Sequence, residues 1–241
     1  MQHATLERSP AHQRRTAVLT PFPTIRAPQP AATEAAAVAG LPTALLDLFA
    51  GTEMTVPFER NSEIYGEGEP TDYVHFVVSG TVRVCKLLDD GRRQIEAFHR
   101  PGAVFGLEIG TTHRFSAEAV TPVTLRLVRR SVVVALAARD PEIAQALWTL
   151  AAGDLQRSQD HVLLLGRKTA QERVASFLGE LASGEAVDLP MSRQDMADYL
   201  GLTIETVSRT LTQLEGNGII AFRSPRRIVI RNRSALRRLD G

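Results

Sequence analysis

The chain has 241 residues, 44% of them hydrophobic and 23% charged, with a formal net charge of +1, which is the make-up of a folded chain with room for two ordinary domains. Its apolar runs all fall short of the ~18 residues that a membrane span needs, and the N-terminus lacks the unbroken apolar core of a signal peptide, so a cytoplasmic location with no membrane partner is expected. The single cysteine, Cys85, excludes an intramolecular disulfide, a four-thiolate iron–sulfur centre and a multi-cysteine zinc site.

The near-zero charge hides an uneven distribution. Residues 1–39 sum to +2, residues 40–165 to −4 and residues 166–241 to +3. Within the last part, Ile219 to Leu239 holds seven arginines and no acid. A basic segment at one end of a near-neutral chain points to a localised polyanion site.

In chain order, residues 1–40 come first. Pro21, Pro23, Pro28 and Pro30 are interspersed with Ala and Thr, which predicts a loosely held or disordered arm. Residues 41–138 read as a β domain. Short β-branched runs at Thr55–Phe58, Tyr73–Val78, Val82–Leu88, Gln94–Phe98 and Val123–Val128 are separated by glycine turns, a pattern of sandwiches and barrels. Asp90-Gly91 between two alternating runs predicts a hairpin. Cys85 lies in one of these runs, either as a buried small hydrophobe or as a redox-active thiol.

Residues 139–166 predict a long helix, with Asp140 as N-cap and Pro141 at the first position. Ile143, Leu147, Leu150, Asp154, His161 and Leu165 fall near one stripe, which predicts a dimerising coiled coil. Asp154 would tune the association by like-charge repulsion or lie solvated at its rim.

Residues 167–241 carry the most specific signal. Ser192-Arg193-Gln194-Asp195 reads as a capping box opening a helix to Tyr199 or Leu200. Leu200-Gly201-Leu202 is a tight turn, and Thr203 caps a second helix. Met196, Ala197, Leu200, Leu202, Val207 and Leu211 are spaced to form the core between the two. Gly216 and Gly218 end the second helix, and Ile219–Phe222 with Ile228–Ile230 predict a two-stranded wing. Two short helices joined by a glycine-containing turn are the helix-turn-helix arrangement, whose second helix enters the major groove by its N-terminal end. The residues predicted to reach base edges are Glu205, Ser208 and Arg209. Arginine forks onto guanine and glutamate accepts from cytosine. Ser192, Arg193, Thr203, Thr206 and Arg226 are predicted to meet phosphates.

The segment MSRQDMADYLGLTIETVSRTLTQLEGNGII (Met191–Ile220) resembles the DNA-binding domain of the CRP/FNR family of bacterial transcription regulators. LLLGRKTAQERVASFL (Leu163–Leu178) resembles the end of the dimer helix and the hinge in FNR-type members. The resemblance spans roughly residues 45 to 235. It implies an α+β chain: an N-terminal β-roll of the cyclic-nucleotide-binding jelly-roll type, a long dimerisation helix and a C-terminal winged helix-turn-helix. Double-stranded DNA, RNA polymerase and a second copy of the chain are the implied partners. Asp89, Asp90 and Gly91 sit where the family contacts the polymerase, although they read equally well as a polar turn.

Departures from the family pattern sharpen the expectation. Cyclic-nucleotide-binding members carry Gly-Glu and then Arg-Ser-Ala, the arginine pairing with the phosphate. Here Gly106 and Glu108 are followed by Arg114-Phe115-Ser116-Ala117, which puts Phe115 in the arginine's place. A phenylalanine cannot neutralise a buried phosphate, so the cassette is degenerate and a small-molecule effector is not expected. Iron–sulfur sensors need a cluster of cysteines before position 85, absent here. Haem sensors need axial ligands; His75, His99 and His113 read instead as ordinary polar residues on or between strands. No metal or other cofactor and no catalytic set is expected.

What remains resembles the FixK-like branch, which shares the Glu205-x-x-Ser208-Arg209 recognition helix with FNR. This resemblance implies a mainly activating homodimer that binds TTGAT-like palindromes and controls low-oxygen respiration, nitrogen-fixation or denitrification genes. The alternative is an effector-dependent CRP-type regulator with a ligand in the β-roll.

Overall fold

The computed structural model describes residues 43–51 and 54–240; the arm expected over residues 1–40 lies outside them. The chain order is α1 (Thr43–Ala50), β1 (Thr55–Phe58), β2 (Glu63–Tyr65), β3 (Tyr73–Ser79), β4 (Val82–Leu87), β5 (Arg93–His99), β6 (Val104–Phe105), β7 (Ser116–Ala119) and β8 (Val123–Arg129). There follow α2 (Arg130–Ala137), α3 (Pro141–Arg167), α4 (Ala170–Leu181), β9 (Ala186–Asp188), α5 (Arg193–Leu200), α6 (Ile204–Gly216), β10 (Ile220–Ser224), β11 (Arg227–Ile230) and α7 (Arg233–Asp240).

Two antiparallel four-stranded sheets, β1-β8-β3-β6 and β2-β7-β4-β5, make the β-roll. They are held face to face by alternation: in β7, Ala117 and Ala119 point inward while Ser116 and Glu118 do not. Val77, Phe105 and Leu125 from one sheet meet Val82, Val84 and Tyr65 from the other in one core. The expected hairpin joins β4 to β5. The Gly91 amide donates to the Leu88 carbonyl at 2.9 Å, and φ at Gly91 is +83°, a conformation that glycine adopts without steric cost. β2, β6 and β7 are additions to the strands read from the sequence. So is α1, whose Leu45 and Phe49 are buried and whose Phe49 ring stacks on Phe76 at 5.3 Å.

The long helix α3 begins as expected. Asp140 accepts from the amides of Glu142 at 2.9 Å and Ile143 at 3.5 Å, and Pro141 loses nothing at the first position, where an amide has no helical partner. Its 27 residues span about 40 Å at ~1.5 Å per residue.

Most of the stripe assigned to dimerisation packs within the chain rather than facing outward, although Asp154 stays part-exposed. Ile143 packs with Leu45, Ala146 and Leu136, and Leu147 and Leu150 pack against the α1 and β3 side chains. Asp154 pairs with Arg157 of its own helix, His161 bonds the Tyr199 carbonyl, and Leu165 packs into the C-terminal core. The apolar side chains that α3 leaves exposed are Trp148 (71%), Leu155 (59%), Val162 (68%) and Leu163 (59%).

The C-terminal part folds on Val174, Phe177, Leu178, Met196, Leu200, Val207, Leu211 and Leu214, all buried. Truncating a side chain of this kind, such as Leu211, to alanine costs about 2–5 kcal/mol. The wing is three-stranded rather than two-stranded, with order β10-β11-β9. β9, which lies before α5, pairs Ala186 with Val229 and Asp188 with Arg227. The final helix α7 packs back onto this core through Leu236.

Candidate nucleic-acid interface

The candidate reading surface is built from α5, the turn and α6. The Ser192 hydroxyl accepts from the Asp195 amide at 3.0 Å, and the Asp195 carboxylate accepts from the Ser192 amide at 3.0 Å. This reciprocal pair starts α5 at a defined residue. Gly201 closes the helix in the left-handed region, φ +60°, with its amide on the Ala197 carbonyl. A Cβ there would stand 3.2 Å from Leu165 Cδ2 and 3.4 Å from an Arg173 guanidinium nitrogen, so both conformation and space favour glycine. Thr203 then caps α6, accepting from the Thr206 amide at 3.2 Å.

On α6, Val207, Leu211 and Leu214 are fully buried, while Glu205 and Arg209 are exposed and Ser208 is half-exposed. The three predicted base-reading residues therefore share the outward N-terminal end of a helix anchored on its other side. Hydrogen bonds from its own amide and from the Thr203 hydroxyl hold the Glu205 carboxyl below its usual range, with Arg209 adding to the effect. It stays ionised at neutral pH and can accept from a base amine.

The predicted phosphate contacts surround this face. Ser192, Thr203 and Arg226 are exposed, and Thr206 is half-exposed. Arg193 lies with its guanidinium 5.2 Å from the centre of the Phe222 ring, so α5 and the wing share a cation–π contact. Arg223 and Arg227 add exposed charge on the wing, Arg227 facing Asp188 at 3.7 Å.

The residues expected to form a degenerate cassette run from the end of β6 into β7 of the β-roll. Phe115 packs against the β-roll core and Arg114 is exposed. The Ser116 hydroxyl accepts from the Glu67 amide at 3.0 Å. Glu108 Oε1 lies 3.2 Å from Nδ1 of the buried His113, and a Cβ at Gly106 would stand 2.9 Å from His75 Nδ1. The histidines taken singly from the sequence belong to one ring stack. His113 stacks on Tyr65 at 3.5 Å, Tyr65 meets His75 at 5.4 Å, and Phe105 lies between His75 at 4.8 Å and His99 at 4.9 Å. His75 Nδ1 and Glu108 Oε2 are buried and have no hydrogen-bond partner among the described residues. Sequence spacing gives no signal for this stack, because its rings come from four strands and a loop.

Cys85 is buried. Burial, with Glu118 adding, pushes its thiol up to about 11, so the reactive thiolate is scarce at neutral pH. Of the two readings of this residue, the structure favours the buried small side chain over the redox-active thiol. Asp89 and Asp90 are exposed at the hairpin, where Asp90 takes the Arg92 amide at 3.0 Å and its Nε at 2.7 Å. No helix among the described residues is long and apolar enough to cross a membrane.

Residues 172–239 match the Crp-like helix-turn-helix domain, and residues 55–140 match the cyclic nucleotide-binding domain. The chain is 60% identical over 192 residues to the nitrogen fixation regulation protein FixK of Azorhizobium caulinodans, an alignment covering 76% of this chain and 77% of that one. It is 44% identical over 193 residues to the protein of the same name from Rhizobium meliloti, covering 78% and 88%. Among solved structures it is similar to FixK2 from Bradyrhizobium japonicum, with TM-score 0.76 and 53% identity over 78% of this chain and 97% of that one.

Proposed function

The chain belongs to the CRP/FNR family of transcription regulators, in its FixK-like branch, and from that premise we propose that it binds double-stranded DNA as a homodimer and reads a palindrome of TTGAT-like half-sites. The observation that carries this reading is the placement of Glu205, Ser208 and Arg209 on the outward end of a helix whose other side is fully buried. Arg209 forks onto a guanine, Glu205 accepts from a cytosine amine, and Ser208 supplies a hydroxyl and a methylene beside a thymine. Ser192, Arg193, Thr203, Thr206 and Arg226 hold the phosphates and set the register.

Dimerisation is assigned to the exposed face of α3. Trp148, Leu155 and Val162 recur every seven residues and lie more than half exposed; a seven-residue apolar repeat is the seam of a two-stranded coiled coil. Binding proceeds without an effector, because Phe115 packs against the β-roll core at the phosphate-pairing position of the cassette. The Asp89–Gly91 hairpin contacts RNA polymerase in the cytoplasm, and the regulator acts mainly as an activator. The relatives' name, nitrogen fixation regulation, supports a role at nitrogen-fixation, denitrification or low-oxygen respiration genes. In vitro selection of DNA sites by the purified chain without effector tests the reading. Enrichment of TTGAT-type palindromes is expected, and enrichment only after a nucleotide is added would overturn it.

A further inference from the structure

Helix α5, which precedes the reading helix, is gripped at both ends by residues from outside the helix-turn-helix. At its N-terminal end, Asp195 takes Arg83 of β4 at 3.0 Å and Arg93 of β5 at 2.5 Å, and one turn on Asp198 takes Arg93 at 2.7 Å. Glu118 of β7 holds the other side of Arg83 at 2.5 Å. At its C-terminal end, the Tyr199 carbonyl lies 2.8 Å from His161 Nε2 of α3 and accepts from Gln94 of β5 at 3.4 Å. Arg173 of α4 donates to the Leu200 carbonyl at 2.9 Å and to the Leu165 carbonyl, near the end of α3, at 2.7 Å. Phe98 of β5 packs on Tyr199 at 5.5 Å and on Phe177 at 6.2 Å.

None of these grips uses α6, whose Glu205 and Arg209 remain exposed. The arrangement therefore fixes the reading helix in orientation without covering it. The chemistry is directional: apolar packing of the same volume would stabilise the contact as well or better, whereas a guanidinium fork fixes angle as well as distance. The side chains of Arg83, Arg93, Asp195 and Asp198 are 5–22% exposed, so water competes weakly for them.

We propose that Arg93, with Arg83, is a positioning residue for DNA recognition. Holding Asp195 and Asp198, the pair fixes each reading head to its β-roll and so sets the separation of half-sites that a dimer accepts. One base pair changes that separation by about 3.4 Å and turns one half-site by roughly 35°. Rigid heads match a single spacer, and loosened heads tolerate its neighbours. The inference rests on the palindrome reading above.

The test uses the full chain and three duplexes: the selected palindrome, the same site with one central base pair added, and a single half-site. For the unaltered chain, the palindrome-to-altered-spacer affinity ratio is high. In Arg93→Gln it falls by about tenfold or more, while half-site affinity holds. Arg93→Lys keeps the cation and most of the ratio. Asp198→Asn empties the same pair from the other end, spares the Ser192–Asp195 cap, and lowers the ratio alike. A wild-type ratio in Arg93→Gln overturns the positioning role alone. Loss of half-site binding together with palindrome binding in both variants also overturns it, since the cluster would then only hold the fold. An unaltered chain that is indifferent to the spacer overturns the palindrome reading and this proposal with it.

Discussion

His161 lies with its ring 4.2 Å from that of Tyr199, 18° from parallel, and with Nε2 2.8 Å from the Tyr199 carbonyl. Because a carbonyl only accepts, Nε2 carries the proton. A residue of the long helix thus caps the end of α5 and stacks on it. His161→Ala removes one hydrogen bond, worth about 1 kcal/mol, and one ring contact of about 0.5–1.5 kcal/mol. Urea unfolding is expected to show a loss of about 2 kcal/mol, and an unchanged midpoint would refute the linkage.

Arg209 and Arg226 are expected to separate by the kind of DNA contact each makes. Arg209→Ala costs about 1–3 kcal/mol on the selected site and relaxes one base position. Arg226→Ala weakens selected and random DNA alike and lowers the salt slope by about one. Titrations on both DNAs at several salt concentrations check this; equal losses on both DNAs for Arg209→Ala would remove it from base reading.

The two apolar faces of α3 have different expected phenotypes. Leu155→Arg places a charge on the exposed seven-residue repeat and yields a folded monomer by sedimentation that no longer prefers palindromes over half-sites. Leu150→Ala acts on the face packed against α1 and the β-roll, and lowers the melting temperature. A dimeric Leu155→Arg chain would move the interface elsewhere.

Acid stability follows from the ring stack. Burial pushes the His75 imidazole down to about 3, with His113 and His99 adding, and pushes His99 down to about 4, with Arg157 adding. The unfolded chain protonates both near their ordinary value of about 6.5 and so binds more protons than the folded one below it. Stability is therefore full above about pH 6.5 and falls as pH drops towards 4. Asp195 adds to the loss at lower pH. Burial raises its carboxyl, but the Ser192 hydroxyl and amide with Arg83 and Arg93 bring it below its ordinary value, so its contribution disappears only as pH falls beneath the ordinary carboxylate range. Urea midpoints from pH 7 to 4 are expected to fall, and His99→Gln flattens the slope.

Cyclic nucleotides are expected to leave the melting temperature unchanged. A ligand that binds only the folded chain at a hundred times its dissociation constant adds about 2.7 kcal/mol, a shift that scanning calorimetry resolves. A clear rise with a cyclic nucleotide would reinstate the effector-dependent reading.

The reading head is legible in the sequence because its signals are local. Ser192 with Asp195, Gly201 and Thr203 mark helix ends within a few residues, and the buried positions of α5 and α6 follow helical spacing. Most of the longer β-roll strands are legible for the same reason. The proposed dimer face is not: α3 carries two apolar stripes, and spacing does not tell which one the chain's own α1 covers. β2, β6 and β9 have only two or three residues each and owe their conformation to partners distant in the chain. The five-ring stack and the Arg83–Asp195 grip join residues up to 112 positions apart, a separation at which local pattern carries no information.

The short strand β9 has a consequence for dissecting this protein. It lies before the helix-turn-helix yet forms one side of β11, whose other side is β10. A fragment cut at the capping serine would keep Glu205, Ser208 and Arg209, the side chains proposed to read bases. It would also turn the middle strand of the wing into a bare edge, with a row of amides and carbonyls free to recruit another chain. A portion that keeps the wing paired therefore begins upstream of β9, and one that also keeps the C-terminal core whole begins before Leu164.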